Sequence, residues 1–228
     1  MYESLSLEHT STVDRAAEVL RTALFAGELA PGTPLREVAL ADQLGIGRST
    51  VREALGVLTA EGLLTRIPNR GVVVSVLDPD QIHDVVRARL VLETAGARAW
   101  DEAGDEAGDE AGEQARESVR EAMATYRSLA ESGAPARDIT EAHLAFHRSL
   151  VALSGSSRLI TVAEQLSAEI RLALAHLDRL RSNAIEQVAE HQGLLDRLEA
   201  GDGDDVAKEL VAHLLGAERS LNESLLQT

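Results

Sequence analysis

The chain has no cysteine, which excludes a disulfide framework and any thiolate metal site. It has no apolar run approaching the length of a membrane span. Its opening residues, MYESLSLEHTS, are polar and do not read as a secretory leader, so the cytoplasm is the expected address. Positive charge is scarce too: 22 Lys+Arg against 38 Asp+Glu leave a net charge of −16. That deficit argues at first sight against a nucleic-acid partner, but it is unevenly divided. Residues 1–77 hold 7 Arg and 9 Asp+Glu, a balance of −2, whereas residues 78–228 hold 15 Lys+Arg and 29 Asp+Glu, a balance of −14. Phosphate binding depends on local basic patches, and exposed charges are screened beyond roughly 8 Å at physiological salt. An acidic body behind a near-neutral head weakens nonspecific DNA binding without excluding specific binding. The last absence is of strands: beyond Asp78 no period-two pattern occurs. With 228 residues there is chain enough for one large or two small domains.

What is present is organised around Leu40–Val74. An apolar-periodic helix runs to Leu44 and is broken by Gly45-Ile46-Gly47. A second helix starts at Arg48 and carries Val51, Ala54, Leu55 and Leu58 on one face. After Gly62 the period shifts toward two. This predicts a strand over Leu63–Ile67, a turn at Pro68-Asn69-Arg70-Gly71 and a strand over Val72–Val76. Helix, tight turn, helix and hairpin make a winged helix-turn-helix, whose second helix enters the DNA major groove. Arg48, Ser49, Thr50 and Arg52 lie on the first turns of that helix, away from its apolar face. Arg can bond guanine O6 and N7 bidentately, short hydroxyls suit phosphate, and a helix start offers free N–H groups. Arg70 sits at the wing tip beside Gly71. Upstream, Ser11-Thr12-Val13-Asp14 reads as a capping box opening a helix to Gly27, with Val13, Ala16, Ala17, Leu20, Ala23 and Leu24 at helical spacing.

These residues carry a resemblance. Pro31-Gly32, Leu35, Leu40-Ala41, Leu44-Gly45, Arg48, Val51-Arg52-Glu53-Ala54-Leu55, Leu58, Glu61-Gly62-Leu63 and Pro68-Asn69-Arg70-Gly71 resemble the GntR family of bacterial transcription regulators, FadR-type branch. The resemblance implies base reading by Arg48 and Arg52, backbone contacts by Ser49 and Thr50, and a wing contact by Arg70 and Gly71. Two positions depart from the family. Gly47 replaces the usual Ser or Thr, a capping loss of about a few tenths of a kcal/mol, and Thr50 stands where Pro is common.

Asp78-Pro79-Asp80 is the predicted boundary, giving a head over 1–77 and an all-α antiparallel bundle over 78–228. Six helices are expected there, at about 79–100, 113–131, 136–153, 157–181, 184–199 and 204–225. The fourth shows the clearest seam: Leu159, Ala163, Leu166, Ile170, Ala173, Leu177 and Leu180. The repeat DEAGDEAGDEAG (101–112) has no consistent apolar face and reads as a solvated acidic connection or a frayed helix end.

Three bundle helices direct imidazole inward. His143 and His147 share a face at i and i+4, His191 lies between Val188 and Leu195, and His213 follows Leu210. Neutral imidazole suits Zn, Ni, Cu or Co, and a bundle core is a usual place for such a site. The His143/His147 pair by itself is more often a buried, hydrogen-bonded pair without metal. Arg89 shares a side of its helix with Ile82, Val86 and Glu93, and its plain reading is an i,i+4 ion pair with Glu93. His83, His176 and Trp100 read as structural or surface residues.

Residues 78–228 also resemble the FCD ligand-binding domain of that branch. The resemblance is carried by Arg89-Leu90-Val91-Leu92-Glu93, His143-Leu144-Ala145-Phe146-His147, Ser154-Gly155-Ser156, Glu190-His191 and Ala212-His213-Leu214. It implies a divalent metal held by His147, His191 and His213. His143 stands where the family carries Asp. Trading oxygen for nitrogen disfavours Mg or Mn and favours Zn or Ni. It further implies that Arg89 clamps the carboxylate of a small organic acid effector. The expected protein is a homodimeric, metabolite-responsive regulator on a roughly palindromic operator. The alternatives are a metalloenzyme built on the four histidines and a ligand-independent DNA-binding or structural protein. No paired general base or nucleophile accompanies the histidines.

Overall fold

The structure, a computed structural model, describes residues 11–102, 110–175 and 184–225. The chain divides into two compact units, Met1–Val76 and Leu77–Thr228.

In the first unit, α1 (Thr12–Phe25) opens with the predicted capping box. Ser11 Oγ accepts from Asp14 N at 3.1 Å, and Ser11 N donates to Asp14 Oδ2 at 3.3 Å. Helix α2 (Glu37–Leu44) ends at Gly45, whose φ of 66° a side chain would resist. Helix α3 (Arg48–Ala60) buries Val51, Ala54, Leu55 and Leu58. They meet Ala17, Leu20 and Leu24 of α1, and each fully buried Leu contributes about 1.5–3 kcal/mol. Arg21 ties α1 to the end of α3 through a two-pronged bond to Glu61, at 3.0 and 2.7 Å.

The wing is β2 (Leu64–Ile67) and β3 (Gly71–Val74), antiparallel with Arg66 opposite Val72. The second strand starts and ends earlier than its alternation suggests, because Val76 is exposed and leaves the ladder. A strand the pattern did not announce, β1 (Pro34–Leu35), pairs with the other edge of β3. Two residues cannot display a period; the pairing is made by Gly32 N to Val74 O (2.9 Å) and Val74 N to Thr33 O (3.0 Å).

The second unit is helical throughout its described residues: α4 (Pro79–Glu102), α5 (Glu110–Glu131), α6 (Ala136–Ala152), α7 (Ser157–Ala175), α8 (Ala184–Glu199) and α9 (Gly203–Leu225). Trp100, Met123, Tyr126, Phe146, Leu198 and Leu210 are among the residues filling its core. The α7 seam is only partly a core seam. Ala163 and Ile170 are buried, Leu159, Leu166 and Ala173 are half-exposed, and Ser167 enters the interior; Leu177 and Leu180 lie outside the described residues. Of the acidic repeat, Asp101 and Glu102 end α4 and Glu110–Gly112 open α5, while 103–109 lie outside the described residues. Asp101 is not simply solvated: its carboxylate accepts from Gly203 N at 3.2 Å, at the start of α9.

Helix α4 crosses α6 at close range because position 96 lacks a side chain. A Cβ on Gly96 would lie 2.0 Å from the Leu150 carbonyl oxygen. Gly96→Ala is therefore expected to lose about 1–3 kcal/mol through overpacking, despite Ala's better helix propensity. Gly193→Ala, whose Cβ would meet nothing nearer than the tip of Arg197 at 3.7 Å, should lose none. Denaturant midpoints of the two variants check this.

Candidate metal centre and nucleic-acid interface

The four histidines named from the sequence come together. His143 and His147 project from α6, His191 from α8 and His213 from α9, with one ring nitrogen of each within 4.8 Å of the others. Nε2 of His143 lies 3.0 Å from Nε2 of both His147 and His191, and those two are 3.1 Å apart. The rings of Tyr126 and Phe146, both fully buried, pack around the triangle at centroid distances of 5.3–5.8 Å.

The protons of two rings can be assigned. His191 Nδ1 is 2.6 Å from the Gln187 carbonyl oxygen, which can only accept, so Nδ1 carries the proton. His147 Nδ1 is 2.7 Å from Glu93 Oε2, and the carboxylate of Glu93 is held on its other oxygen by Arg89 Nε at 2.7 Å. An ionised Glu93 makes His147 Nδ1 the donor. Both Nε2 atoms are then bare, with lone pairs converging at 3.1 Å. A proton on His143 Nε2 can be aimed squarely at only one of them. Metal–nitrogen bonds of about 2.0–2.1 Å would set adjacent ligand nitrogens about 3.0–3.4 Å apart, and the triangle fits that spacing.

Electrostatics keep the rings in their ligating form. Burial pushes His147 well below the ordinary histidine value, with the Arg89 charge acting in the same direction. Burial lowers His191 to about 4 and lowers His213 as well, although Glu93 opposes the latter shift. Burial raises Glu93, and Arg89 pulls it back.

The two readings of Arg89 hold at once. It makes the i,i+4 ion pair with Glu93, but the pair is buried, and Arg89 is only 6% exposed. Its Nη2 is buried and has no hydrogen-bond partner. Arg89 lines a cavity of about 770 Å³ together with His143 and His213. Glu93 was legible in the sequence as a surface partner of Arg89; its contact with His147 arises 54 residues away and has no local signal. The Gln187 carbonyl, a backbone atom, had none either. His83 is exposed and bonds Glu218 at 2.8 Å, whereas His176 lies outside the described residues.

In the first unit, Arg48, Ser49 and Arg52 are exposed on α3 and Thr50 is half-exposed. Arg70 and Gly71 are exposed at the wing turn, where Asn69 (φ 60°) and Gly71 (φ 88°) both adopt left-handed backbone. Gly47 caps α3 without a side-chain bond and the first turn contains no acid, so its opening N–H groups are available to an anion. Glu37 on α2 is the residue the sequence did not single out. It accepts from Arg52 Nε and Nη2 at 2.9 and 2.7 Å and lies 4.0 Å from Arg48. Its carboxyl is lowered first by that hydrogen bond to Arg52, and the charge of Arg66 on β2 adds to the effect.

A winged helix joined to a helical unit with a histidine-lined cavity defines a class of protein, the regulator with separate DNA-reading and ligand-sensing parts. Residues 12–74 match the family described as bacterial regulatory proteins, gntR family, and residues 84–216 match the FCD domain. The chain belongs to the GntR family, in the FadR-type branch that carries an FCD domain. Among solved structures, it is similar to a transcriptional regulator GntR from Rhodococcus sp. RHA1: 27% identity, TM-score 0.77, 93% of this chain and 98% of that one. The E. coli McbR/YncC structure shares the fold at 24% identity and TM-score 0.70, covering 96% and 98%. The gluconate operon transcriptional repressor of Bacillus licheniformis is 36% identical over 94 residues, 41% of this chain and 38% of that protein. The chain spans about half or less of the length of the curated relatives it matches.

The lowered histidines set a pH dependence. Between the unfolded value of 6.5 and the folded value of about 4, the unfolded chain binds a proton at His191 that the folded protein does not. That stability is complete above about pH 6.5 and is lost as pH falls toward 4, at up to about 1.4 kcal/mol per pH unit per histidine. Glu93, raised on folding, acts in the opposite direction. Urea unfolding of chelator-treated protein should show a larger loss between pH 7 and 5 than in a His191→Gln variant.

Proposed function

We propose that the protein is a homodimeric, metabolite-responsive transcription regulator. Its helical unit holds a divalent transition metal on His143, His147, His191 and His213, and its effector is a small carboxylate. The observation that carries the metal reading is the 3.1 Å approach of the Nε2 atoms of His147 and His191 between buried side chains, where an ionised Glu93 leaves two lone pairs converging. Two such lone pairs repel unless a positive centre lies between them. An all-nitrogen set favours Zn or Ni over Mg or Mn.

Bound there, the metal would supply a Lewis-acidic position for a carboxylate oxygen. The protein's own residues do the rest. Gln187 and Glu93 hold two rings in the ligating tautomer, and Arg89, which lines the cavity, offers its positive charge to the effector. Four neutral imidazoles and a mutually neutralised Arg89–Glu93 pair leave the metal's charge uncompensated, which selects an anion. The effector changes DNA affinity by preferring one arrangement of the two heads, a population shift. Each recognition helix takes one half-site, with half-sites about one helical turn apart. The metalloenzyme alternative gains nothing: the relatives above are regulators.

Untagged protein purified without chelator should contain about one transition metal per chain by elemental analysis. A His147→Ala/His191→Ala variant should contain none. A wild-type site that stays empty after Zn or Ni addition would sink the metal reading.

For DNA, Arg48→Ala and Arg52→Ala should each cost about 1–3 kcal/mol on operator DNA and relax specificity at one position. Glu37→Gln removes a carboxylate from the DNA-facing surface and frees the Arg52 guanidinium. It should tighten binding to random duplex while narrowing the operator-to-random ratio. Fluorescence anisotropy on both duplexes at two salt concentrations checks all three; an unchanged ratio in Glu37→Gln would count against the role given to that contact.

A further inference from the structure

We infer that the effector is a monocarboxylate with an extended apolar body, rather than a short hydroxy acid or a polycarboxylate; this rests on the carboxylate reading above. Size is the first ground. The cavity of about 770 Å³ has room for roughly 25 waters at about 30 Å³ each. It falls in the range of about 300–1,000 Å³ that accommodates drug-sized ligands. A three- or four-carbon acid held at Arg89 would leave most of it filled with water.

The lining is the second ground, because its buried side chains are mainly aliphatic. The buried lining residues are Arg89 and His143 on one hand, and Val86, Leu144, Ile170, Leu174 and Leu221 on the other. Those five aliphatic side chains come from four helices, α4, α6, α7 and α9, and each is at most 9% exposed. The interior thus offers one cationic side chain, Arg89, for an anion and a set of aliphatic side chains for the remainder of the ligand. Water against such a surface is readily displaced by methylenes.

The rim is the third ground. Glu190, Arg219 and Glu223 are exposed lining residues, and the half-buried Glu218 is already bonded to His83. Among the described residues, three carboxylates and one guanidinium on the exposed lining repel a second or third negative charge on the ligand. One carboxylate is drawn to Arg89 and the histidines; further carboxylates would face the acids. An amphipathic monoanion satisfies the floor, the wall and the rim together.

The test is calorimetric titration of the full-length, Zn-loaded protein with acetate, hexanoate, octanoate, lactate and citrate. The expected result is affinity rising about fourfold for each added methylene from acetate to octanoate, with lactate and citrate weaker than octanoate. Leu221→Ser should weaken octanoate while leaving acetate unchanged. Equal affinity along the series, or lactate or citrate binding tighter than octanoate, overturns the inference; if Arg89→Gln still weakens them, the carboxylate reading survives alone. Absence of binding by every carboxylate, or binding indifferent to Arg89→Gln, overturns the carboxylate reading and this inference with it.

Discussion

With Glu93 ionised, two imidazole lone pairs, on His147 and His191, face each other at 3.1 Å, and groups from α4, α6 and α8 hold that contact. Neither ring could relieve the repulsion by changing tautomer without breaking a bond on its far side. His191 would give up the Gln187 carbonyl, and His147 would give up Glu93. A buried donor or acceptor left unpaired costs about 1–3 kcal/mol. The surrounding core removes the other escape, protonation, because buried Tyr126 and Phe146 exclude the water a charged ring would need. Four ring nitrogens gathered in this way suit a cation.

Glu93 joins this constraint to the cavity. One oxygen orients His147 and the other holds Arg89, so a single buried carboxylate sets both the proposed metal ligand and the proposed effector clamp. An ion pair at i and i+4 on an exposed helix would contribute only about 0.2–0.5 kcal/mol. Here the same spacing faces inward, desolvation makes each partner depend on the other, and Arg89 also lines the cavity. Metal and effector are thereby tied by shared residues, which is the physical content of the proposed coupling between them.

The head follows a different economy. Its interior is ordinary aliphatic packing between α1 and α3, while its outward face keeps charge close to balance by setting Glu37 against Arg52. That pairing lowers the standing attraction for any phosphate backbone. It also holds the Arg52 guanidinium in a defined plane, and a planar donor pair is what bidentate base recognition requires. N–H groups at the start of α3 are open to an anion without a side chain at Gly47.

Periodicity alone determined where the helices run, because a helix in a small protein must bury one face and that face repeats every three to four residues. The capping box at Ser11 and Asp14, the breaks at Gly45 and Gly62 and the inward direction of the four histidines were all legible for the same reason: each is encoded within a turn or two of chain. Tertiary structure decided what local sequence cannot encode. The strand β1 exists only because β3 has an edge to offer Pro34 and Leu35. Gly96 matters only because the Leu150 carbonyl lies opposite it. Asp101 turned from a repeat residue into a cap only when α9 began beside it. The proton position on His147, and with it the chemistry of the cluster, depends on a carboxylate 54 residues away. Side-chain direction is local information; the partner that a side chain meets is not.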